Sequence, residues 1–476
     1  HTPDGNPLVG PAHGVPNFWQ CCGSSIGIAQ GAGCGKYLAQ WMVHGDAEIN
    51  MAPVDPRRFG AYADADYTRA KSFDDYHNMF ETPLPGREIH AGRPRRITPL
   101  YGPLKAKGAA YTEVYGWERP KYFAPAGFVE KLQHRRNNVF DLVAAECRAV
   151  RERVGIMDLS SFAKFDVTGP GAEALLDRLT ANRLPRKIGG INLTHVLSQA
   201  GRIEGEWTIT RLGDDRFYVL SGAGSERQAL DHLTAAAGDD VTISNVTDTF
   251  GMLVLAGPKS REVLVPLTDA DLTNPSFRWL SGQEITIAGI PVRALRVNYV
   301  GERGWELHAP MGDLATLYDA IWNSGTVHGI ADFGSHAVNS LRMEKGYRGF
   351  GAELTNEITL IEADCQRFYA PDKGDFNGRT ATEASRKNRI PTRLAYGEVA
   401  ATDCDIYGGE AVMHGDKVVG VCTSGGYGHA TGKSLAFAYV EPDMSNGLEV
   451  VILGERRALT LHAEPVWDPT NALQKA

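Results

Sequence analysis

The sequence predicts an α+β protein of about three domains, at roughly 150 residues per domain for a chain of 476 residues. Two patterns carry that reading. From residue 126 onward helical and strand periodicities alternate, and the last hundred residues read almost wholly as short strands between turns, the pattern of a small antiparallel β-barrel. Hydrophobic residues at 43% against 22% charged leave no long polar tract, so the chain can bury more than one core.

In chain order, residues 22–35 are a glycine-rich run (Gly23, Gly27, Gly31, Gly33, Gly35), expected as a loop feeding a helix over 36–44. Leu38, Trp41 and Met42 recur there at helical spacing, and Gly45 supplies the stop. A loop at a helix N-terminus offers free backbone N–H groups to a phosphate or an electron-rich ring edge. Its spacing is not G-x-G-x-x-G, however, and equally suits a tight packing loop. Residues 61–125 are rich in Tyr, Pro and Arg and read as a connecting segment, with Arg93, Arg95 and Arg96 expected in ion pairs rather than around an anion. Residues 172–179 predict a helix. Residues 206–212 and 216–220 predict a hairpin about Gly213-Asp214-Asp215, and 286–288 and 292–297 another about Gly289-Ile290-Pro291. A helix over 335–345 is stopped by Gly346, and strands follow at 417–422, 434–440, 448–453 and 458–462.

Several functions are disfavoured. A net charge of -8, from 49 basic and 57 acidic residues, opposes a nucleic-acid partner. No apolar run reaches the roughly 18 to 20 residues of a bilayer span, and no signal segment opens the chain. Cys21, Cys22, Cys34, Cys147, Cys365, Cys404 and Cys422 contain no C-x-x-C pair, which argues against a disulfide framework or structural zinc and for a reducing compartment. The sequons at Asn192 and Asn245 are set aside for want of a secretory signal. Gly432-Lys433-Ser434 fails as a P-loop, since Tyr427 stands where its first glycine belongs and a strand follows. No metal-binding His pair or nucleophile elbow occurs. The chain opens at His1 in what reads as mid-domain, so a piece of a longer polypeptide is expected.

The segment Asn298-Tyr-Val-Gly-Glu-Arg-Gly-Trp-Glu-Leu, with Arg342 standing 36 residues after Glu306, is the constellation that could carry chemistry. A carboxylate behind two glycines can accept two parallel hydrogen bonds from an amidine-like edge while Tyr299 stacks on the ring, as pterin recognition requires. The other reading is a surface turn plus an ion-paired helix arginine.

Four motifs in order, Gly201-x-Ile203-x-x-Glu206, Tyr299-x-Gly301-Glu302-x-Gly304-x-Glu306, Ser340-Leu341-Arg342-x-Glu344-x-Gly346 and Cys422-Thr-Ser-Gly-Gly426 with Gly432-Lys-Ser-Leu-Ala436, resemble the glycine-cleavage T-protein (aminomethyltransferase) family from about residue 126 to the end. Ahead of them, Thr2-Pro-Asp-Gly5, Val54-Asp-Pro-Arg-Arg-Phe-Gly60 and Gly116-Trp-Glu-Arg-Pro120 look like the C-terminal part of dimethylglycine and sarcosine dehydrogenases. The resemblance implies an oxidoreductase tail at 1–60, a connecting segment at 61–125, a tetrahydrofolate-binding domain at 126–375 and a barrel at 376–476. It implies tetrahydrofolate held by Tyr299, Glu306 and Arg342, with Glu206 as the catalytic carboxylate near folate N5, and FAD lined by Gly23, Ser24, Ser25, Gly27 and Ile28. T-proteins place two Asp residues where Gly205 and Glu206 stand, and an Asn near Ser221 or Gly222, so this chain departs from the pattern at both places. The activity implied is FAD-dependent N-demethylation of a small N-methylated amino acid with one-carbon transfer to tetrahydrofolate, in cytoplasm or mitochondrial matrix. The missing flavin-domain half would be in the same or another chain. A flavin-free folate transferase and a non-catalytic folate-binding module remain as alternatives.

Overall fold

The seven-residue stretch Phe250–Ala256 is almost wholly apolar and buried on both faces, which places it at the centre of a sheet. In the computed structural model, which describes residues 1–476, it lies between Gly304–Pro310 and Gly155–Asp158 in a six-stranded sheet. Gly282–Ile287 and Ile290–Leu295 complete one side of that sheet and the short Ala331–Asp332 the other. A second, five-stranded antiparallel sheet runs in the order Thr242–Asn245, Ala163–Thr168, Arg216–Ser221, Ile203–Arg211, Ile191–Leu197. Helix Ala172–Leu179 packs on it through Ala172, Leu175, Leu176 and Leu179, a one-sided apolar stripe and the helix that the sequence predicts.

The C-terminal barrel is closed, with six strands: Arg393–Val399, Ala411–His414, Lys417–Gly428, Lys433–Val440, Leu448–Ile452 and Glu455–Leu461. Helix Ser335–Glu344 joins it to the sheets. Ser340 Oγ donates to the Tyr427 carbonyl at 2.6 Å, and the fully buried Glu344 accepts from Ala430 N at 2.8 Å and Thr431 N at 2.9 Å while pairing with Arg151 at 2.8 Å. A Cβ on Gly428 would lie 2.7 Å from Glu344 Cγ, so this approach requires glycine.

Three expectations change. The glycine run is not a loop: Gly27–His44 is one helix of 18 residues, and added Cβ atoms on Gly31, Gly33 and Gly35 would meet nothing, so these glycines serve no close contact. Residues 61–125 are more ordered than a connector, with helices Ala65–Asn78 and Tyr101–Ala106 and the hairpin Ala109–Val114/Trp117–Phe123. The turn of the 282–295 hairpin is Ala288-Gly289, both at positive φ (50° and 80°), so Ile290 and Pro291 belong to the strand. The arginine cluster is ion-paired: Arg93 with Glu118 at 2.7 Å, Arg95 with Asp64, and Arg96 with Glu226 at 2.9 Å and Asp248 at 2.8 Å. All seven cysteines are unpaired, and no helix is long and apolar enough to cross a membrane.

Candidate functional site

Both sheets, the barrel and the C-terminal tail line one cavity of about 1380 Å³. Glu306, Val254 and Met157 are register partners on three adjacent strands, and all three side chains face it. Glu306 accepts no hydrogen bond from the protein, and burial pushes its carboxyl up to about 8 although the Lys164 charge pulls the other way. His308 Nε2 stands 3.6 Å from Glu306 Oε2. Full burial drives the His308 pKa well below its ordinary value, so the imidazole is neutral and the contact is not an ion pair. His308 Nδ1 shares a 3.1 Å hydrogen bond with the Tyr218 hydroxyl. Beneath lies Lys164, fully buried, donating to the carbonyls of Ser160 at 2.7 Å and Phe162 at 2.8 Å, with desolvation lowering its pKa to about 7.

Tyr299 is displayed on a turn that Asn298 builds. Asn298 Oδ1 accepts from Val300 N and Gly301 N at 3.1 Å, and its amide donates to the Glu302 carbonyl at 2.8 Å. Gly301 has φ +84° and sits where a Cβ would lie 2.2 Å from Lys345 Cγ, so only glycine closes this turn. The Tyr299 ring stacks on Tyr347 with centroids 5.5 Å apart, and its hydroxyl donates to the Arg348 carbonyl. Burial raises the Tyr299 pKa, so it stays a neutral phenol.

Glu206 reaches the same cavity from the five-stranded sheet. Directly opposite it in the strand register stands His195, whose side chain is completely buried and whose Nε2 lies 3.3 Å from Glu206 Oε2. A carboxylate can only accept, so Nε2 donates in this bond, and Nδ1 is buried without a partner. His195 went unnoticed in the sequence because its pairing with Glu206 depends on the register of two strands. Ser221 and Gly222, at the family's Asn position, both line the cavity, and Ser221 Oγ is a buried polar atom with no partner.

Glu206, Tyr299 and Glu306 therefore share one cavity. Arg342 does not line it. Its guanidinium is spent on Asn339 Oδ1 at 3.0 Å, the Tyr347 carbonyl at 3.1 Å, Glu353 at 3.1 Å and Ser424 Oγ at 2.9 Å, which ties the helix to the barrel and supports the tyrosine under Tyr299. The proposed flavin residues also lie elsewhere. Gly23 turns against Thr2, Ser24 Oγ donates to Gln30 at 2.6 Å, Ser25 Oγ bonds His1 at 2.9 Å, Gly27 opens a helix, and Ile28 is fully exposed; none faces the cavity.

The two-sheet body, the barrel and a carboxylate-bearing cavity between them define a class. The chain belongs to the glycine cleavage T-protein family: the model of the GCVT N-terminal domain matches residues 100–373 and that of the glycine cleavage T-protein C-terminal barrel domain matches 393–468. The model of the FAD dependent oxidoreductase central domain matches 44–98. Over its whole length the chain is homologous to dimethylglycine and sarcosine dehydrogenases. It is 39% identical to mitochondrial dimethylglycine dehydrogenase of Mus musculus, over 100% of this chain and 56% of that protein. With mitochondrial sarcosine dehydrogenase of Homo sapiens it shares 31% identity over 99% of this chain and 57% of the relative. It thus spans a little over half the length of these relatives. The crystal structure of glycine cleavage system aminomethyltransferase T from Bartonella henselae superposes with a TM-score of 0.68, over 79% of this chain and 98% of that one at 23% identity, which establishes the common fold.

Proposed function

We propose that the chain is the folate-binding, one-carbon-accepting part of an FAD- and tetrahydrofolate-dependent N-demethylating oxidoreductase of the dimethylglycine and sarcosine dehydrogenase type. The observation that supports it is Glu306: a desolvated carboxylate with no donor of its own, in the same cavity as a second carboxylate and an exposed tyrosine face. Such a group suits the paired N–H donors of a pterin edge. Tetrahydrofolate, when bound, supplies the nitrogens that accept the one-carbon unit. Glu306 would fix the ring edge, and Tyr299, braced by Tyr347, would cover its face. Glu206 would hold or release a proton beside the reacting nitrogens, with Oε2 oriented by His195 and Oε1 left for the ligand.

The flavin would be held chiefly by the part of the longer relatives that this chain does not span, with Gly23, Ser24, Ser25, Gly27 and Ile28 as its candidate contacts from this chain. The mitochondrial relatives support a matrix location. A flavin-free aminomethyltransferase would use the same folate site, and a visible flavin spectrum of the complete protein excludes it.

Calorimetric titration with tetrahydrofolate tests the binding site. Glu306→Ala removes charged hydrogen bonds worth roughly 1.5 to 3 kcal/mol each, so affinity falls roughly tenfold or more per bond without a fall in melting temperature. Unchanged affinity overturns the assignment.

A further inference from the structure

Arg119 stands on strand Trp117–Phe123, at the wall of the same cavity, and no carboxylate lies within ion-pair distance of it. Its Nε and one Nη donate to Ser161 Oγ at 3.0 and 2.6 Å, and the Phe162 ring lies 5.7 Å from the guanidinium carbon. The second Nη makes no protein hydrogen bond. Nearby, Asp158 is already engaged, accepting from Thr98 Oγ1 at 2.6 Å and from the Ser160 N and Oγ at 3.0 and 2.6 Å. Among the other arginines of the cavity, Arg57, Arg58 and Arg348 pair with Asp55, Asp4 and Asp364, each at 2.7 Å, Arg393 donates to the carbonyls of Pro442 and Met444, and Arg367 is exposed to solvent, so Arg119 is the desolvated one with a free donor edge. Burial pulls the Arg119 pKa down to about 10, and only the charge of Asp158 offsets the loss of water. The cavity wall about it is apolar, formed by Met157, Leu159, Phe162 and Phe333.

A desolvated guanidinium, held from one side by a serine and open on the other, is a fork waiting for a planar anion. The row Glu306, Val254, Met157 covers roughly 10 Å at about 4.8 Å per strand, and Arg119 lines the same cavity next to Ser161 and Phe162. We propose that Arg119 is a carboxylate receptor of this cavity, taking either the carboxylate of an N-methylated amino acid or that of the folate glutamyl tail. Only the second source rests on the folate reading given above.

Binding to the purified chain is measured with three probes: N,N-dimethylglycine, tetrahydrofolate, and a tetrahydropterin that lacks the benzoylglutamate tail. Parent, Arg119→Leu and Arg119→Lys are compared. Arg119→Leu is expected to weaken one carboxylate probe tenfold or more, leave the tetrahydropterin unchanged, and keep or raise the melting temperature, because it deletes an uncompensated charge. Arg119→Lys, which keeps charge without the fork, is expected between the two. Loss confined to tetrahydrofolate assigns the glutamyl tail, and loss confined to dimethylglycine assigns the amino acid. Unchanged affinity for both carboxylates overturns the proposal, as does a parent chain that binds neither, or a variant that weakens all three probes with a falling melting temperature. If tetrahydrofolate fails to bind the parent while dimethylglycine binds, the folate reading fails and the dimethylglycine arm alone decides Arg119.

Discussion

Glu306 shows how the fold prepares a single side chain. His308 Nε2 stands 3.6 Å away, beyond hydrogen-bond distance, and Lys164 is already bonded to carbonyls. With its pKa raised to about 8, the ionised form that accepts two bonds is the minor one at neutral pH. Tetrahydrofolate affinity is therefore predicted to rise with pH, by up to about tenfold per unit between pH 6 and 7.5, and to level above about 8, whereas Glu306→Gln binds weakly at every pH. The stability sign runs the other way. A carboxyl raised from 4.5 to about 8 contributes stability below 4.5 that is lost as pH rises to 8, so Glu306→Gln should melt above the parent at pH 8 and with it at pH 4. His195 gives a separate test: His195→Leu should keep tetrahydrofolate affinity within about threefold yet cut one-carbon transfer roughly tenfold or more, with His195→Gln, which retains an N–H donor, restoring part of it. Tyr299 and Glu306 could be paired from the sequence because one short segment, a turn running into strand Gly304–Pro310, carries both. The His195 partnership was not, because only the register of Ile191–Leu197 against Ile203–Arg211 brings the two together.

Among elements, helix Ser335–Glu344 carries more structure than recognition. Its motif reads from sequence as a ligand arginine, yet Arg342 faces Glu353, whose side chain has no exposure at all. Arg342→Ala would leave that carboxylate buried without its ion-pair partner, though still bonded by Gly349 N, Thr423 Oγ1 and Ser424 Oγ, a loss of about 3 kcal/mol by urea unfolding, with folate affinity changed much less. Equal loss of affinity and unchanged stability would return Arg342 to the site. The helix itself was readable from its periodicity and from Gly346. The helix Gly27–His44 was not, because each glycine costs about 1 kcal/mol against alanine in a helix interior and local propensity therefore argues for a loop. Helix Ala65–Asn78 escaped for a different reason: it buries only Tyr67 and Lys71, too little to leave an apolar stripe, although Asp64 caps it by accepting from Tyr67 N at 2.9 Å. Strands Arg393–Val399 and Ala411–His414 complete the barrel beside the four strands that the sequence predicts.

At the scale of the whole molecule, the cavity exists only because the three parts close together. Glu206 comes from one sheet, Glu306 from the other, and Tyr396 and Phe437 from the barrel. The order of domains was legible from motifs spread along the chain, but their convergence on one space was not, since no local pattern encodes which faces meet. The central claim is that binding and transfer are divided between Glu306 and Glu206 within that space. It is tested most directly by product analysis of the complete flavoenzyme carrying Glu206→Gln. Amine oxidation with an artificial electron acceptor should continue near the parent rate and tetrahydrofolate should still bind, while free formaldehyde replaces methylene-tetrahydrofolate as the product. Methylene-tetrahydrofolate formed at the parent rate would contradict the account.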